Sequence, residues 1–303
     1  MRKNFTSLVT GGAGFIGSHL VDALIEKGHR VIVIDNLSTG KRENLNPKVK
    51  FFHLDLKDFE KIKPILKGVD FVFHLAAVPR IMPSILDPIS AHQNNLTTTL
   101  NVLFASKEVK VKKLIYASST SVYGNQENLP LKENMNPDPL SPYAVQKYTG
   151  ELYCKIFSEI YRLNTVSLRY FNVFGPRMAS EGDYASVVGI FLRQKRERKP
   201  LTIVGDGEQK RDFTYVKDVI RATILATEKD VGGGEVINIC AGKSYSINQL
   251  AKIIGGPRVN IPPRPGEIRE SWGDNSKAKK ILGWEPKYNL ETGLREMIEK
   301  YEY

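Results

Sequence analysis

The stretch that decides the fold is Phe5-Thr6-Ser7-Leu8-Val9-Thr10-Gly11-Gly12-Ala13-Gly14-Phe15-Ile16-Gly17, close to the first residue of the sequence. Its first six residues are typical of a buried strand. Glycines at 11, 14 and 17 permit a tight turn, close approach of the backbone to a pyrophosphate, and close packing of a helix on the strand. The helix would direct its N-terminal N–H groups at the anion. The stretch therefore predicts a dinucleotide-binding turn, with a Gly-x-x-Gly-x-x-Gly spacing one residue wider than the common fingerprint.

An acidic residue, Asp35, follows the next predicted strand, residues 30–34. A carboxylate about 20 residues beyond the glycines can accept hydrogen bonds from both adenosine ribose hydroxyls. It would repel a 2′-phosphate, so the sequence favours NAD over NADP. Asp55 ends the third predicted strand, where it is placed either to accept from the adenine amino group or to cap a helix. The predicted adenosine pocket comprises Asp35, Asn36, Ser38, Thr39, Gly40, Asp55 and Leu56.

Strands and helices alternate over the first half of the chain. Residues 78–88 contain three prolines and are predicted to form a loop at the rim of the site, followed by one long helix over 89–109. Six strands alternating with helices predict an α/β fold with a doubly wound parallel sheet. The six predicted strands are residues 5–10, 30–34, 51–54, 71–77, 113–117 and 165–170.

The stretch Ser141-Pro142-Tyr143-Ala144-Val145-Gln146-Lys147 predicts the start of another helix, since proline suits the first helical position. Tyr143 and Lys147 would then share one helix face. A neighbouring ammonium favours the phenolate and lowers the pKa of a phenol. Tyr143 would then act as a base toward a substrate hydroxyl. Hydroxyl side chains also crowd the end of the fifth strand, at Ser118, Ser119 and Thr120, where they can bind a substrate hydroxyl or carbonyl.

Bulk composition limits the classes of protein. The net charge is +11, but cations and acids are interleaved along the chain, which argues against nucleic-acid binding and suits an anionic small substrate. No uncharged run reaches membrane-spanning length, and no signal peptide is expected. Two cysteines, Cys154 and Cys240, favour a reducing cytoplasm and suggest neither a disulfide framework nor a metal site.

Taken together, these motifs resemble the extended short-chain dehydrogenase/reductase family, in its nucleotide-sugar epimerase branch of the UDP-glucose 4-epimerase type. The resemblance covers essentially the whole chain in the expected order. The motifs are Thr-Gly-Gly-Ala-Gly-Phe-Ile-Gly at 10–17, His-Leu-Ala-Ala at 74–77, Ser-Ser-Thr-Ser-Val-Tyr-Gly at 118–124, Tyr-x-x-x-Lys at 143–147, Arg-Tyr-Phe-Asn-Val-Phe-Gly-Pro-Arg at 169–177, Gly-Asp-Gly-Glu-Gln-Lys-Arg-Asp-Phe at 205–213 and Arg-Pro-Gly-Glu-Ile-Arg at 264–269.

The resemblance implies a role for each matching residue. Tyr143 would be the base, Lys147 its partner and a ligand of the nicotinamide ribose, and Ser119 the assisting hydroxyl. His74 is instead expected to be a core histidine. The NAD site implied beyond the adenosine pocket comprises Gly11, Gly14, Phe15, Ile16, Gly17, Leu75, Ala76, Ala77, Asn95, Ala117, Ser118, Tyr143, Lys147, Tyr170 and Val173.

The substrate would be a UDP-sugar held by the last third of the chain. Arg211 and Arg264 are expected on the diphosphate, because a guanidinium fork matches phosphate oxygens. Ser271 matches the position beside the sugar's C2 substituent, where a small residue can admit an N-acetyl group. Asp218 is a further candidate for the substrate site. The implied substrate site comprises Ser84, Ser119, Thr120, Tyr143, Asn172, Ser186, Val187, Thr202, Val204, Arg211, Arg264, Glu267 and Ser271.

The implied reaction is interconversion of UDP-glucose and UDP-galactose by transient oxidation at C4 with bound NAD+, with UDP-N-acetylhexosamines as further substrates. UDP-glucuronate 4-epimerisation, 4-reduction and 4,6-dehydration are the alternatives. Related dehydratases carry an Asp-Glu pair where this chain has Thr120 and Ser121, and related decarboxylases carry a Glu where it has Ser121. The hydroxyls of Thr120 and Ser121 cannot exchange a proton near neutral pH.

The expected organisation is an NAD-binding domain over 1–172 and a mainly substrate-binding domain over 173–303, with segments returning to the first domain. A homodimer built on the helices near 89–109 and 143–161 is also expected.

Overall fold

The computed structural model describes residues 5–79, 81–182, 184–263 and 268–301. The strands are β1 Thr6–Thr10, β2 Arg30–Asp35, β3 Lys50–His53, β4 Phe71–His74, β5 Lys113–Ser119, β6 Thr165–Tyr170, β7 Val173–Phe174, β8 Leu201–Val204, β9 Lys210–Asp212, β10 Thr214–Tyr215, β11 Glu235–Ile239, β12 Ser244–Ser246, β13 Arg258–Ile261 and β14 Glu270–Ser271. The α-helices are α1 Phe15–Glu26, α2 Phe59–Ile62, α3 Ile81–Leu86, α4 Pro88–His92, α5 Thr98–Glu108, α6 Pro142–Tyr161, α7 Val187–Arg196, α8 Val216–Glu228, α9 Ile247–Ile254, α10 Ser276–Leu282 and α11 Leu290–Tyr301. Short 3₁₀ turns cover Arg42–Asn44, Lys63–Leu66 and Thr120–Tyr123, and a π-helical turn covers Gln93–Thr97.

Seven parallel strands form the main sheet, in the order β11-β6-β5-β4-β1-β2-β3. This confirms the predicted α/β class and doubly wound parallel sheet. Strand order reverses between β1 and β4, and the crevice outside the carboxyl ends of the strands at such a point is the usual ligand site. Thr10 lies beside Ile34 on one side and His74 on the other, so the glycine turn lies among the ends of β1, β2 and β4.

Alternating residues of the sheet pack on two helical layers. On β1, Val9 belongs to a core with α1 and α8, while Leu8 belongs to a core with α5 and α6. A third apolar cluster joins α7, α9 and α11, with members such as Phe191, Leu250 and Leu294. The same part of the chain contains a three-stranded sheet. Its central strand is β9, which pairs antiparallel with β12 and parallel with β14.

Strand β11 is the seventh strand of the main sheet, and the sequence did not predict it. It pairs with β6 from Glu235 beside Val166 to Ile239 beside Tyr170. The strand comes after β7–β10, where the regular alternation of strand and helix breaks down, and it carries the polar Asn238 among apolar residues. The sequence led us to expect that later segments return to the first domain, but no local pattern identifies β11 as the strand that joins the first sheet.

The prediction of a loop over 78–88 was wrong in part, because α3 occupies Ile81–Leu86 and α4 begins at Pro88. Pro83 lies in the first turn of α3, where no backbone donor is required, and Pro88 is the first residue of α4 behind the cap Asp87. The helix predicted over 89–109 is helical, but a π-helical turn at Gln93–Thr97 divides it.

Within the described ranges, no helix is both long and apolar enough to cross a membrane. Nor do the residues described contain a group of three or more His, Cys, Asp or Glu side chains that could hold a metal ion.

Candidate active site

The glycine turn between β1 and α1 forms a narrow backbone cradle. Gly11 has φ +71°, and a Cβ on it would lie 2.8 Å from the Ala76 nitrogen. A Cβ on Gly17 would lie 2.1 Å from the Gly11 carbonyl oxygen. Helix α1 has Gly14 at its cap position, no side-chain cap bond and no acidic residue in its first turn. Its first N–H groups and positive dipole end therefore suit an anion such as the diphosphate of NAD.

Asp35 at the end of β2 is buried and holds the glycine turn in place. Its Oδ2 accepts a hydrogen bond from the Ala13 nitrogen at 2.9 Å, and its Oδ1 accepts one from the Leu37 nitrogen at 2.8 Å. A carboxylate can accept about four hydrogen bonds, so two remain for ribose hydroxyls. The position and the chemistry fit the predicted NAD ligand.

Asp55 closes a turn at the end of β3. Its Oδ1 accepts from the Lys57 nitrogen at 2.9 Å, and its Oδ2 lies 3.3 Å from Lys57 Nζ. The Asn36 amide donates to the same Oδ2 at 3.4 Å. The residue at the cap position of α2 is Asp58, so Asp55 is not the helix cap. Asn36 and Asp55 thus meet beside Asp35, as an adenosine pocket requires.

His74 is a core residue, as the sequence analysis expected. Its Nδ1 lies 2.7 Å from Thr10 Oγ1 and its Nε2 lies 3.0 Å from Thr99 Oγ1. Because Thr99 Oγ1 already donates to the Asn95 carbonyl, it must accept the His74 proton, which places that proton on Nε2. Burial, and secondarily the Lys147 charge, lower the pKa of His74 to about 3. The ring is therefore neutral.

Asn95 in the π-helical turn ties three elements together. Its Oδ1 accepts from the Val78 nitrogen at 2.7 Å, and its Nδ2 donates to the Val78 carbonyl at 3.2 Å and to Gln146 Oε1 at 2.8 Å. The amide thus joins helix α6 to the segment after β4 that includes the predicted NAD residues 75–77. These bonds use both amide hydrogens and one of the two acceptor positions of Oδ1, so the side chain positions the cofactor segment.

Helix α6 presents Tyr143 from a doubly fixed N-terminus. Ser141 caps the helix by accepting from the Ala144 nitrogen at 3.2 Å, and Pro142 is the first helical residue. The Tyr143 nitrogen donates to Ser84 Oγ at 3.1 Å. Ser84 is fully buried and donates to the Ile81 carbonyl, so its hydroxyl supports Tyr143 from α3. Contact of Ser84 with a sugar, predicted from the resemblance, would require one of these bonds to exchange.

Lys147 lies one turn beyond Tyr143 and is 4% exposed. Its Nζ donates to the Ala117 carbonyl at 2.8 Å and lies 5.9 Å from the centre of the Tyr143 ring. Burial lowers the pKa of Lys147 to about 8, and the nearby Glu151 carboxylate opposes that shift. Lys147 therefore places a buried amino group, whose pKa is close to neutral pH, near the phenol ring of Tyr143 on the same helix face, as the spacing predicted.

The end of β5 presents hydroxyl groups at the same edge. Ser119 Oγ accepts from the Ser121 nitrogen at 3.1 Å and so caps the 3₁₀ turn that follows. The side-chain oxygens of Thr120 and Ser121 are buried, and neither has a hydrogen-bond partner among the described residues. Buried polar oxygens of this kind need a partner, which a bound polar ligand can supply.

Two predicted cofactor residues direct their side chains into the protein instead. Ser118 donates to Glu151 Oε1 at 2.5 Å. Tyr170 donates to Thr223 Oγ1 at 2.8 Å, since that hydroxyl itself donates to the Val219 carbonyl. Burial raises the pKa of Tyr170 well above its ordinary value. The hydroxyl protons of both residues are therefore used within the protein, and neither hydroxyl can donate to a cofactor unless its bond breaks.

One of the two predicted diphosphate residues and the predicted sugar residue Ser271 meet on one small sheet. Arg211 of β9 lies directly beside Ser271 of β14 in the parallel register. The next residue, Asp212, is buried and accepts from the nitrogens of Ala241 and Gly242, each at 2.9 Å. Burial raises the pKa of Asp212 to about 7. This carboxylate holds the turn after β11 against the strand that carries Arg211.

Other predicted substrate residues make local contacts. Asn172 donates to the Asp212 carbonyl at 3.0 Å, and Ser186 caps α7 just before Val187. Thr202 is paired with Gln194, whose Nε2 donates to the threonine hydroxyl at 2.9 Å. Val204 ends β8, and Arg264 and Glu267 lie outside the described residues. Val173, a predicted cofactor residue, begins β7.

Asp218, a further candidate from sequence, is structural. It is 1% exposed, and its carboxylate accepts from the nitrogens of Lys287 and Tyr288. The residue therefore anchors the segment before α11.

The sequence analysis did not single out Glu151, which lies two helical turns after Tyr143 on the same face. Its spacing from Tyr143 and Lys147 was the available signal.

Comparison with known proteins gives this geometry a family. The profile of the NAD-dependent epimerase/dehydratase family matches residues 7–240. The chain belongs to this family. The match confirms the predicted epimerase-type enzyme and its cofactor, NAD, and the glycine cradle and Asp35 fit that cofactor.

Three relatives match this epimerase/dehydratase along nearly their whole length. A putative UDP-glucose 4-epimerase of Methanocaldococcus jannaschii is 39% identical over 299 residues, which is 96% of each chain. The crystal structure of the UDP-glucose 4-epimerase of Thermotoga maritima with UDP-glucose is 42% identical, with a TM-score of 0.95 over 98% of this chain and 99% of that one. A UDP-N-acetylglucosamine 4-epimerase of Methanobrevibacter ruminantium, in complex with UDP-N-acetylmuramic acid, is also 42% identical, with a TM-score of 0.92 over 98% and 99%.

Proposed function

We propose that this enzyme interconverts UDP-glucose and UDP-galactose by epimerisation at C4, and that it also accepts UDP-N-acetylhexosamines. The observation that carries the proposal is the Tyr143–Lys147 face of α6, held against the hydroxyl-rich end of β5 by the bond from Lys147 Nζ to the Ala117 carbonyl. The glycine cradle at the same sheet edge fits a dinucleotide. The names of the relatives support the choice of a UDP-sugar.

Tyr143 takes the proton of the sugar's C4 hydroxyl and returns a proton in the second half of the reaction. Lys147 stabilises the phenolate because its buried ammonium lies one turn away on the same helix face. Ser119 is the neighbouring hydroxyl, and it hydrogen-bonds to the same substrate oxygen as Tyr143. Bound NAD supplies the hydride acceptor and donor.

The remaining residues of the site hold cofactor and substrate. Asp35 accepts from the adenosine ribose, and the cradle formed by Gly11, Gly14 and Gly17 receives the diphosphate of NAD. Arg211 of β9 binds the diphosphate of the UDP-sugar, which leaves the sugar free to turn about its linkage. Thr120 supplies a hydroxyl whose oxygen has no hydrogen-bond partner in the described part of the protein. The other predicted cofactor and substrate residues keep the roles given in the sequence analysis, except Asn95, Ser118, Tyr170 and Asp218, whose side chains bond within the protein.

Ser271 decides which sugars are accepted. It lies beside Arg211 across two paired strands, so the C2 substituent of a diphosphate-bound sugar would be near it. A serine is small enough to leave room for an N-acetyl group, and the similarity to a UDP-N-acetylglucosamine 4-epimerase supports this second substrate class. Ser271→Tyr should therefore lower turnover of UDP-N-acetylglucosamine far more than that of UDP-galactose. Equal effects on both substrates would refute the pocket argument.

The chain is proposed to act as a homodimer. Among the exposed large apolar side chains of α5 and α6, five are spaced four residues apart along one face of each helix: Leu100 and Phe104 on α5, and Leu152, Ile156 and Ile160 on α6. Exposed apolar area of this extent is typical of an interface. Two copies of the helix pair would bury it as a four-helix bundle.

The direct test of the proposed function is an assay with UDP-galactose and no added NAD. Chromatography should show conversion to UDP-glucose. Absorbance in the reduced-nicotinamide band should rise transiently when the sugar nucleotide is added. A protein that only binds NAD would show neither product nor reduction.

A further inference from the structure

Glu151 is a buried acid on the catalytic helix to which the proposed function gives no role. It is 3% exposed and shares a helix face with Tyr143 and Lys147. Its two oxygens accept from Arg169, Oε1 from Nε at 2.9 Å and Oε2 from Nη2 at 2.7 Å. Oε1 also accepts from Ser118 Oγ at 2.5 Å. The carboxylate is therefore held in one position from β5 and β6.

Two neighbouring contacts fix how β5 sits on α6. The Ala117 carbonyl accepts from Lys147, and the side chain of the next residue, Ser118, donates to Glu151 one turn further along the helix. Ser119 follows directly on the strand, and Tyr143 lies one turn earlier on the helix. The position of Ser119 relative to Tyr143 thus depends on these two contacts.

Glu151 also sets the charge around Lys147. The titratable groups facing the Lys147 ammonium are Tyr143, Glu151 and Cys154 on its own helix, Tyr116 on β5, whose ring centre is 5.0 Å away, and His74 on β4. Burial raises the pKa of Cys154 to about 12 and keeps it neutral, and His74 is neutral. Glu151 is the carboxylate among these groups and favours the protonated form of Lys147, and Arg169 of β6 donates to the same Glu151 oxygen as Ser118.

We infer that Glu151 is a positioning residue for the proposed epimerase reaction, which holds Ser119 against Tyr143 through Ser118 and keeps Lys147 protonated. The inference rests on the proposed function. A merely structural ion pair would contribute stability alone, whereas a positioning residue changes kcat at an unchanged KM and changes the pH profile.

The experiment compares Glu151→Gln and Ser118→Ala with wild-type holoenzyme, measuring kcat and KM for UDP-galactose against pH. Glu151→Gln should lower kcat by about 10- to 100-fold, because small misplacements of reacting groups cost this much, with KM changed less than about threefold. Loss of the negative charge should also move the alkaline limb of the kcat profile to lower pH by about half to one unit. Ser118→Ala keeps the charge, so it should lower kcat by about 3- to 10-fold and leave the alkaline limb in place.

Asp70→Asn is the matched control. Asp70 is also ion-paired, with Lys112 at 2.6 Å, and accepts from the Thr6 nitrogen, but it precedes β4 at the opposite edge of the sheet. It should change thermal stability without changing kcat or the pH profile. The inference is overturned if the kcat and profile of Glu151→Gln match the wild type, or if Asp70→Asn changes both as much.

Glu151→Gln leaves Arg169 buried without a counter-charge, which can prevent folding. In that event the double variant Glu151→Leu/Arg169→Met, which removes both charges of the pair, should show the same loss of kcat and a smaller shift of the alkaline limb, because the net charge near Lys147 is unchanged. Unchanged values in this variant would overturn the inference.

A titration independent of substrate separates this inference from the proposed function. NMR of protein labelled with ¹³C at the lysine ε-carbon, with the signal assigned by Lys147→Arg, should show Lys147 titrating at lower pH in Glu151→Gln. An equal midpoint in both proteins contradicts the inference. Wild-type enzyme inactive on UDP-sugars would instead refute the proposed function.

Discussion

The polar side chains at the carboxyl edge of the sheet fall into two groups. Those of Thr10, His74 and Asn95 bind one another or the backbone and hold the edge together. Those of Thr120 and Ser121 have buried oxygens without a partner in the described part of the protein. The first group makes the site rigid before a ligand arrives, and the second retains hydrogen-bonding capacity for one.

His74 should make the protein sensitive to acid. Its folded pKa is about 3, below its ordinary value of 6.5. Between these values the unfolded ring binds a proton and the folded ring does not. The free energy of unfolding should therefore fall as the pH drops below about 6.5, by at most about 1.4 kcal/mol per pH unit.

Urea denaturation of wild type and His74→Asn tests this sign. The stability advantage of the wild type should shrink by about 2 kcal/mol between pH 7 and pH 5, because asparagine does not titrate. The exposed His92→Asn should keep the pH dependence of the wild type. An advantage that stays constant over this range would show that His74 is not the group responsible.

The chemistry-bearing residues were visible in the sequence, but their hydrogen bonds were not. Tyr143 and Lys147 share a helix face because spacing alone decides it. By contrast, Ser118 and Tyr170 are of the expected type at the expected positions, yet their hydroxyls bond to Glu151 and Thr223. Those partners lie 33 and 53 residues away, and only the fold brings them together.

At the scale of elements, the turn between β1 and α1 is the most constrained segment of the site. The backbone passes so close to itself that a methyl group at Gly17 would collide with the Gly11 carbonyl at 2.1 Å. The neighbouring atom is backbone and cannot rotate away. The turn therefore depends on glycine at this position.

Gly17→Ala should lose NAD as well as stability. We expect at least about a 10-fold rise in the Kd for NAD and a loss of about 1–3 kcal/mol in the free energy of unfolding. Gly234→Ala is the control, since its Cβ would lie 2.5 Å from the backbone Cα of Lys155, just before β11 at the edge of the sheet opposite the glycine turn. It should lose stability but keep its NAD affinity. Similar NAD affinity in both variants would contradict the proposed cradle.

Elements with regular patterns were predicted well, and irregular ones were not. The spacing of the glycines between β1 and α1 is compatible with few types of local structure. Pro83 and Pro88, however, favour a loop when only the sequence is considered, although proline is tolerated in the first turn of a helix. The π-helical turn at Gln93–Thr97, which carries Asn95, has no sequence signal of its own.

At the scale of the whole molecule, apolar side chains are buried in cores on both faces of the main sheet and between α7, α9 and α11. The exposed apolar residues of α5 and α6 are an exception, and the proposed homodimer accounts for them. The parallel sheet could be predicted from the alternating order of strands and helices. The pairing of β11 with β6 could not, because it joins segments far apart in the sequence and no local pattern indicates it.

Ile156→Glu should convert the dimer to a monomer, because it places a charge in the centre of the proposed interface. Multi-angle light scattering measures the mass directly. Val259→Glu on β13 is the matched control, since Val259 is 44% exposed and Ile156 is 42% exposed. It should leave the dimer intact. A wild-type protein that is monomeric at micromolar concentration would refute the proposed interface.

The most direct test of the central claim is the turnover of UDP-galactose by Tyr143→Phe, which removes one hydroxyl and keeps the ring. The account predicts that NAD content stays at the wild-type level while kcat falls by about 10²- to 10⁴-fold, because the proton acceptor is gone. Turnover equal to that of the wild type would contradict the assignment of Tyr143 as the base.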